Sequence, residues 1–223
     1  MENKIIIFLM GPPGSGKTTQ AEKLAQEFGL VHFITSEFIK NAIYNPAKAE
    51  DPIIQREKYL YESGLLNTDD WVVDLVIEET KKLEKLNKGI IYSGSPKRLV
   101  ESEVLIKELE PLYGRGNLFA FFVNLDFEEA FKRIKSRRLC SRCGLPLLAG
   151  DDSNICKKCG GEIIIRTIDD PEKFKLRFDE YIKKTEPAIE YFREKGLLFD
   201  VDGRKTPEEV HREISDIIKS RLK

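Results

Sequence analysis

The sequence predicts an α/β fold with a parallel sheet covered by helices on both faces. Five short, mainly apolar runs have the length of buried strands. Segments with helical spacing separate them, an alternation typical of a parallel sheet that is buried on both sides. A glycine-rich turn follows the first run, and ligands of such sheets bind beyond the carboxyl ends of the strands. The five runs lie at 5–9, 31–34, 89–93, 118–124 and 197–201.

The helical patterns begin and end at recognisable residues. The first, at 18–28, stops before Gly29. The last, at 207–222, starts with a capping box, since Thr206 precedes it and Glu209 follows the cap by three residues. The helices between them are predicted at 69–88, 98–110, 126–139 and 171–194.

Composition places the chain among globular proteins. Of its 223 residues 41% are hydrophobic, which is enough for one sizeable core. The net charge of −1 argues against a general nucleic-acid-binding face, and we expect no nucleic-acid partner. No run of about 20 apolar residues is present, so no membrane span is expected. We expect a cytoplasmic protein, where cysteines are more often metal ligands than disulfide partners.

A phosphate-binding loop follows the first strand. GPPGSGKT at 11–18 matches G-x-x-x-x-G-K-[ST] in full, with a predicted strand before it and a helix after it. Its backbone N–H groups would surround phosphate oxygens, Lys17 would reach the β- and γ-phosphates, and Thr18 or Thr19 would offer a hydroxyl to magnesium. The candidate ATP-binding residues of the loop are Gly11, Pro12, Pro13, Gly14, Ser15, Gly16, Lys17, Thr18 and Thr19.

A small insertion rich in Cys and Gly interrupts the α/β pattern at 140–165. CSRC and CKKC place two pairs of thiols 12 residues apart, which is the pattern of a structural zinc site with four thiolates. Disulfides and unligated thiols are the alternatives. A module of this kind in isolation could also be a nucleic-acid-binding ribbon. The candidate metal ligands are Cys140, Cys143, Cys156 and Cys159.

Four arginines frame the insertion. Arg133 and Arg137 are four residues apart on a predicted helix and therefore share a face, whereas Arg166 and Arg177 follow the cysteines. Planar guanidinium groups suit phosphate oxygens because they bind them with two hydrogen bonds. On a mobile flap they would neutralise a phosphoryl group in transfer and exclude water. For each arginine a solvated surface charge is the alternative.

Together these segments resemble adenylate kinases of the long form, which carry a zinc-binding lid. The resemblance covers nearly the whole chain and is most specific in the lid and the helix after it. It implies a P-loop nucleoside triphosphate hydrolase-like fold with a five-stranded parallel sheet, helices on both faces and a small zinc-binding lid. The matching segments are GPPGSGKTTQAEKLAQEFG, RIKSRRLCSRCG, CKKCGGEIIIRTIDD, LRFDEYIKKTEPAIEYF and VDG.

The resemblance also implies a domain organisation and a reaction. A core of 1–34, 71–132 and 171–223 would carry a nucleoside monophosphate-binding segment at 35–70 and a lid at 133–170. A monomer would transfer a phosphoryl group reversibly from Mg-ATP to AMP, giving two ADP. The resemblance assigns catalysis to Lys17, Arg133, Arg166 and Arg177, and further ATP contacts to Arg133 and Arg137.

The acceptor half departs from the family pattern. Ser93 stands where the family has an aspartate that orients magnesium-bound water, and Lys40 and Lys97 stand where it has arginines. Glu101 replaces a glutamine that reads adenine, and a carboxylate accepts a hydrogen bond but cannot donate one. Acceptor binding is expected from Thr35, Lys40, Gly94, Lys97, Glu101, Arg166 and Arg177.

These departures leave two alternatives to an adenylate kinase. The chain could prefer another nucleoside monophosphate, or it could be a weakly active or non-catalytic nucleotide-binding relative that lost the acid at Ser93. Glu37, Asp169 or Asp170 could replace that acid if the fold brings one of them close to the phosphates.

Overall fold

The computed structural model describes residues 4–63, 65–147, 150–165 and 171–222. Its strands are β1 (Ile6–Met10), β2 (Val31–Phe33), β3 (Ile90–Tyr92), β4 (Leu118–Asn124), β5 (Leu139–Cys140), β6 (Ile163–Ile164) and β7 (Leu198–Asp202). Five of them form a parallel sheet in the order β2-β3-β1-β4-β7. The predicted fold class is confirmed, and each of these strands starts and ends within one residue of its predicted bounds.

Helices connect the strands and cover both faces of the sheet. They are α1 (Lys17–Phe28), α2 (Thr35–Ile43), α3 (Pro52–Glu62), α4 (Asp69–Glu84), α5 (Leu99–Tyr113), α6 (Phe127–Lys135), α7 (Pro171–Glu194) and α8 (Pro207–Arg221). The residue pattern does not predict α2 or α3, which lie in the segment that the family resemblance assigns to nucleoside monophosphate binding. Within the described residues, no helix is long and apolar enough to span a membrane.

The two faces of the sheet bury different side chains. On one face Phe8, Phe33 and Tyr92 pack against α4, α5 and α7, and the rings of Phe8 and Tyr92 stack at 5.1 Å. On the other face Ile7 and Phe121 pack against α1 and α8. Since alternate residues of a strand point to opposite faces, both faces are apolar and the strands read as continuous hydrophobic runs.

The insertion contains a separate two-stranded sheet. Strands β5 and β6 pair antiparallel, with Leu139 opposite Ile164 and Cys140 opposite Ile163. The predicted helix at 126–139 therefore ends earlier, at Lys135, because the residues after it turn into this sheet.

The last helix begins as predicted. The Thr206 hydroxyl accepts a hydrogen bond from the N–H of Glu209 at 3.3 Å, and the Glu209 carboxylate accepts one from the N–H of Thr206 at 2.9 Å. This reciprocal pair is a capping box, so the sequence pattern identified the start of α8 correctly.

Candidate active site

The glycine-rich loop lies at the carboxyl end of β1 and leads into α1. Gly11 has a φ of 140°, and a Cβ there would lie 2.5 Å from the carbonyl oxygen of Val123 in β4. Gly14 has a φ of 88°, and a Cβ there would lie 2.9 Å from the carbonyl oxygen of Ala130 in α6. Only glycine fits both positions, because backbone approaches closely and φ is positive. The loop is thus packed tightly against β4 and α6.

Lys17 lies across this loop. Its ammonium donates hydrogen bonds to the carbonyl oxygens of Gly11 and Pro12, each at 2.8 Å. Burial of the ammonium and the positive charges of Lys97, Arg177 and Arg137 lower the pKa of Lys17 to about 7. These three cations come from the loop after β3, from α7 and from the residues after α6, so separate parts of the chain converge on the loop. These cations repel one another, and binding of a polyphosphate would offset that repulsion.

Other predicted donor-side residues have defined places. Thr18 and Thr19 are half-buried in the first turn of α1. Arg133 is half-buried on α6, where its Nε donates to the Glu129 carboxylate at 2.9 Å. Arg166 lies outside the described residues, as do the acidic residues Asp169 and Asp170 that could replace the missing acid.

Two of the predicted acceptor residues, Thr35 and Gly94, meet between α2 and the loop after β3. Thr35 is buried at the start of α2, and its hydroxyl lies 2.8 Å from that of Ser95. A Cβ on Gly94 would lie 3.5 Å from the same Thr35 hydroxyl, so the two segments are in contact. Lys40 and Lys97 are exposed.

Glu101 is buried beside this loop. It is 5% exposed, and its Oε2 accepts a hydrogen bond from the N–H of Lys97 at 2.6 Å. Among the described residues, no donor has hydrogen-bonding geometry to its buried Oε1, although the Ser95 hydroxyl is close enough to the carboxyl to lower its pKa in part. Burial raises the pKa of Glu101, which favours the neutral acid. In the protonated form this carboxyl would both donate and accept, as an amide does.

Sequence reasoning missed a hydrogen-bonded chain that ends at Ser93. The Ser93 hydroxyl lies 2.6 Å from Nε2 of His32, and Nδ1 of His32 lies 3.0 Å from Oε1 of Glu22 on α1. Lys158 of the cysteine module donates to the other oxygen of Glu22 at 2.8 Å. His32 therefore connects Ser93 to α1, the helix that follows the phosphate-binding loop.

Strand pairing explains this arrangement. His32 lies opposite Ile91 in the parallel pair of β2 and β3, and Ser93 follows Ile91 by two residues. All three side chains therefore point to one face of the sheet. Ile91 packs there with Leu24 of α1, so the face is the one that α1 covers. The sequence did contain one indication of this arrangement. Glu22 follows Thr18 by four residues and therefore lies on the same side of α1.

The four cysteines form one cluster. All four Sγ atoms lie within 4.8 Å of one another, with 3.4 Å between those of Cys140 and Cys159 and 3.7 Å between those of Cys143 and Cys156. A tetrahedral zinc site with bonds of roughly 2.3 Å places its sulfurs roughly 3.8 Å apart, so the cluster fits such an ion. All four are free thiols rather than disulfides.

Backbone groups favour a thiolate in this cluster. The N–H groups of Cys143 and Arg142 each lie 3.4 Å from the sulfur of Cys140. The hydrogen bond from Cys143 is the largest cause that lowers the pKa of Cys140, to about 6. A Cβ on Gly161 would lie 2.7 Å from the same sulfur, so the second knuckle approaches closely only because glycine is there. The donor set therefore suits a structural metal ion.

Comparison with known proteins gives a consistent result. The profile of the adenylate kinase family matches residues 9–197. An adenylate kinase of Archaeoglobus fulgidus is 36% identical over 217 residues, which is 96% of this chain and 97% of that protein. An adenylate kinase of Caldanaerobacter subterraneus subsp. tengcongensis is 33% identical over 93% of both chains. One of Carboxydothermus hydrogenoformans is 32% identical over 95% of this chain and 98% of its own.

Proposed function

The chain belongs to the adenylate kinase family, and we propose that it transfers a phosphoryl group reversibly from ATP to AMP, giving two ADP. The observation that carries this proposal is the convergence of Lys97, Arg177 and Arg137 on Lys17. Phosphoryl transfer depends mainly on positioning and on neutralising charge, and this cluster supplies both. The comparisons do not favour another acceptor or a non-catalytic relative.

On the donor side, the loop from Gly11 to Thr19 would bind the ATP phosphates. Its N–H groups and the N-terminus of α1 face the polyphosphate, and Lys17 would exchange its carbonyl partners for phosphate oxygens. When bound, magnesium would supply charge neutralisation to the phosphates. The half-buried hydroxyls of Thr18 and Thr19 in the first turn of α1 fit the metal-binding role of such loops.

On the acceptor side, we place AMP between α2 and the loop after β3. Lys40 and Lys97 would attract its phosphate, while Thr35 and Gly94 would shape the pocket. The carboxyl of Glu101 would face the base, and its protonated form, which burial favours, would donate to a ring nitrogen and accept from the exocyclic amine. A phosphate oxygen of AMP is already an anionic nucleophile, so the transfer needs no general base.

The arginines would act on the phosphoryl group in transfer. Arg137 and Arg177 are close enough to Lys17 to lower its pKa, which supports a place for both beside the phosphates. Arg133 would leave Glu129 to bind ATP, and Arg166 would contribute from the lid. Closing a lid over these groups would exclude water and so favour transfer over hydrolysis.

The chain would divide into a core, a monophosphate-binding segment and a lid. We place the monophosphate-binding segment at 35–70, the lid at 133–170 and the core in the rest of the chain. Zinc is the ion we propose for the cysteine cluster, with a structural role because four thiolates leave no open position. We also propose a monomer that works in the cytoplasm.

The acceptor is tested with a panel of nucleoside monophosphates. Purified protein is given Mg-ATP with AMP, CMP, UMP or GMP in turn, and diphosphate formation is measured by chromatography. We expect AMP to give the highest kcat/KM, and Lys17→Ala to lower it by at least a hundredfold. Diphosphate formation no greater than that of Lys17→Ala with every acceptor would refute the proposal.

A further inference from the structure

The end of β3 carries a hydroxyl where phosphate-loop enzymes commonly carry an acid. In such enzymes magnesium is held by the Ser or Thr of the loop together with an aspartate on a second strand. Here Ser93 follows β3, the neighbour of β1 in the sheet, and lies 2.6 Å from His32, which in turn contacts Glu22. We propose that Ser93, His32 and Glu22 act as one unit, the serine relay, which orients the magnesium–nucleotide complex in place of that acid.

The hydrogen-bonding partners fix where the protons lie. Burial lowers the pKa of His32, so the ring is neutral at physiological pH. Burial alone would raise the pKa of Glu22, but hydrogen bonds from Lys158 and His32 bring it below its usual range, so this group is a carboxylate. A carboxylate only accepts, and Nδ1 of His32 must therefore donate to Glu22. Nε2 then carries no proton and accepts a hydrogen bond from the Ser93 hydroxyl.

This arrangement fixes the orientation of the Ser93 hydroxyl. Since its proton points to His32, the lone pairs of its oxygen point away from the ring and can accept a hydrogen bond from metal-bound water. The negative charge of Glu22, acting through the imidazole, makes the hydroxyl a better acceptor than an isolated serine. The relay thus restores part of what a carboxylate would supply, with the negative charge on Glu22 acting through His32.

The position of the relay suits this role. Glu22 follows Thr18 by one helical turn, so it lies on the side of α1 that carries a candidate magnesium-binding hydroxyl. Ser93 is 9% exposed and follows β3 at the carboxyl end of the sheet, where the phosphate-binding loop lies. Both oxygens of Glu22 have partners, since one accepts a hydrogen bond from His32 and the other from Lys158. His32 and Glu22 are positioning residues, because they act through Ser93.

The test uses Ser93→Ala, His32→Gln and the double variant. Only its kinetic readout depends on the proposed function, because the binding readout needs no turnover. The first readout is the ratio of ATP affinities with and without magnesium, measured by calorimetry without AMP. Magnesium-free buffer is preferable to a chelator, which would also attack the cysteine cluster. We expect each single variant to reduce this ratio by about tenfold, the effect of one hydrogen bond to a charged group. The double variant should reduce it no further, because both residues act as one unit.

The second readout is kinetic. With AMP saturating, we expect Ser93→Ala and His32→Gln to lower kcat by about tenfold while the KM for AMP stays within about twofold. Ser93→Asp should retain high kcat, and adding His32→Gln to it should have no further effect, because a carboxylate then stands at the strand end. A general loss of packing would not be rescued in this way.

His211→Gln is the matched control. His211 of α8 contacts Glu27 at 2.9 Å, which is a second His–Glu pair involving α1, at the end remote from the phosphate-binding loop. We expect this variant to match wild type in both readouts. The relay is refuted if the magnesium ratio is unchanged in Ser93→Ala and His32→Gln, if their effects multiply in the double variant, or if His211→Gln reproduces them. Inactive wild type would refute the proposed function, and the affinity ratio would still decide on the relay.

Discussion

The ammonium of Lys17 donates a hydrogen bond to the carbonyl oxygen of Gly11 at 2.8 Å, so the lysine lies across its own loop. Burial and nearby cations lower its pKa to about 7, which leaves much of it neutral at pH 8. A bound polyphosphate favours the ammonium. We therefore predict that ATP binding takes up a proton at pH 8 and that ATP affinity falls as pH rises from about 7 to about 9.

Calorimetry in two buffers with different ionisation enthalpies measures this proton uptake. The control is Lys17→Ala, which should bind ATP more weakly and without the uptake at pH 8. Equal heats in both buffers for the wild type would contradict the lowered pKa.

The buried carboxyl of Glu101 gives a prediction about the acceptor. Because burial raises its pKa, the neutral acid is present at low pH and the carboxylate forms as pH rises. The KM for AMP should therefore increase with pH in the wild type by about threefold to tenfold, the value of one neutral hydrogen bond. Glu101→Gln keeps donor and acceptor at all pH values, so its KM for AMP should lack this dependence. Steady-state kinetics across the pH range will show whether the two profiles differ as predicted.

Removal of metal from the cysteine cluster should loosen the lid and leave the core folded. Structural zinc in small modules contributes on the order of 10 kcal/mol at neutral pH, which is more than so small a sheet supplies by itself. We predict that Cys156→Ser, or treatment with a zinc chelator, lowers the melting temperature and abolishes phosphotransfer. Far-ultraviolet circular dichroism should change little. Readdition of zinc should reverse the chelator effect but not the substitution. A melting curve that is unchanged in protein shown to be metal-free would count against a structural ion.

The capping box of α8 should stabilise the fold without affecting the chemistry. Thr206→Ala removes the side-chain acceptor for the N–H of Glu209 and is expected to lower the free energy of unfolding by about 1 kcal/mol. Glu209→Ala should add less in the Thr206→Ala background than alone, since the two residues stabilise each other. Urea denaturation measures both effects, and kcat should stay at the wild-type value. Full additivity would contradict a reciprocal box.

The sheet was predictable because its strands are buried on both faces and therefore read as continuous apolar runs. Helix α8 was predictable because its cap residues are local in sequence. Helices α2 and α3 were not, since each is short, with three buried residues in α2 and two in α3, and that burial depends on distant partners. The same reason hid the relay of Ser93, His32 and Glu22, because its three members come together only when β2, β3 and α1 are in place.

The phosphate-binding loop and the cysteine cluster show the opposite case. Each is encoded in a short stretch with fixed spacing, and the residues between the ligands are few. For Glu101 the sequence indicated the position but not the state of the group, because its raised pKa arises from burial by the surrounding fold. Sites built from a short stretch can therefore be predicted from the sequence, whereas the pKa shifts of their residues depend on the fold.

Conversion of ADP alone tests the central claim most directly, because only an enzyme that accepts AMP can run the reaction backwards from a single nucleotide. Purified protein is incubated with Mg-ADP and followed by phosphorus nuclear magnetic resonance, with Lys17→Ala as the control. We predict that ATP and AMP appear in equal amounts until equilibrium is reached, and that the control forms neither at a comparable rate. Persistence of ADP in the wild-type sample, or ATP without an equal amount of AMP, would contradict the assignment.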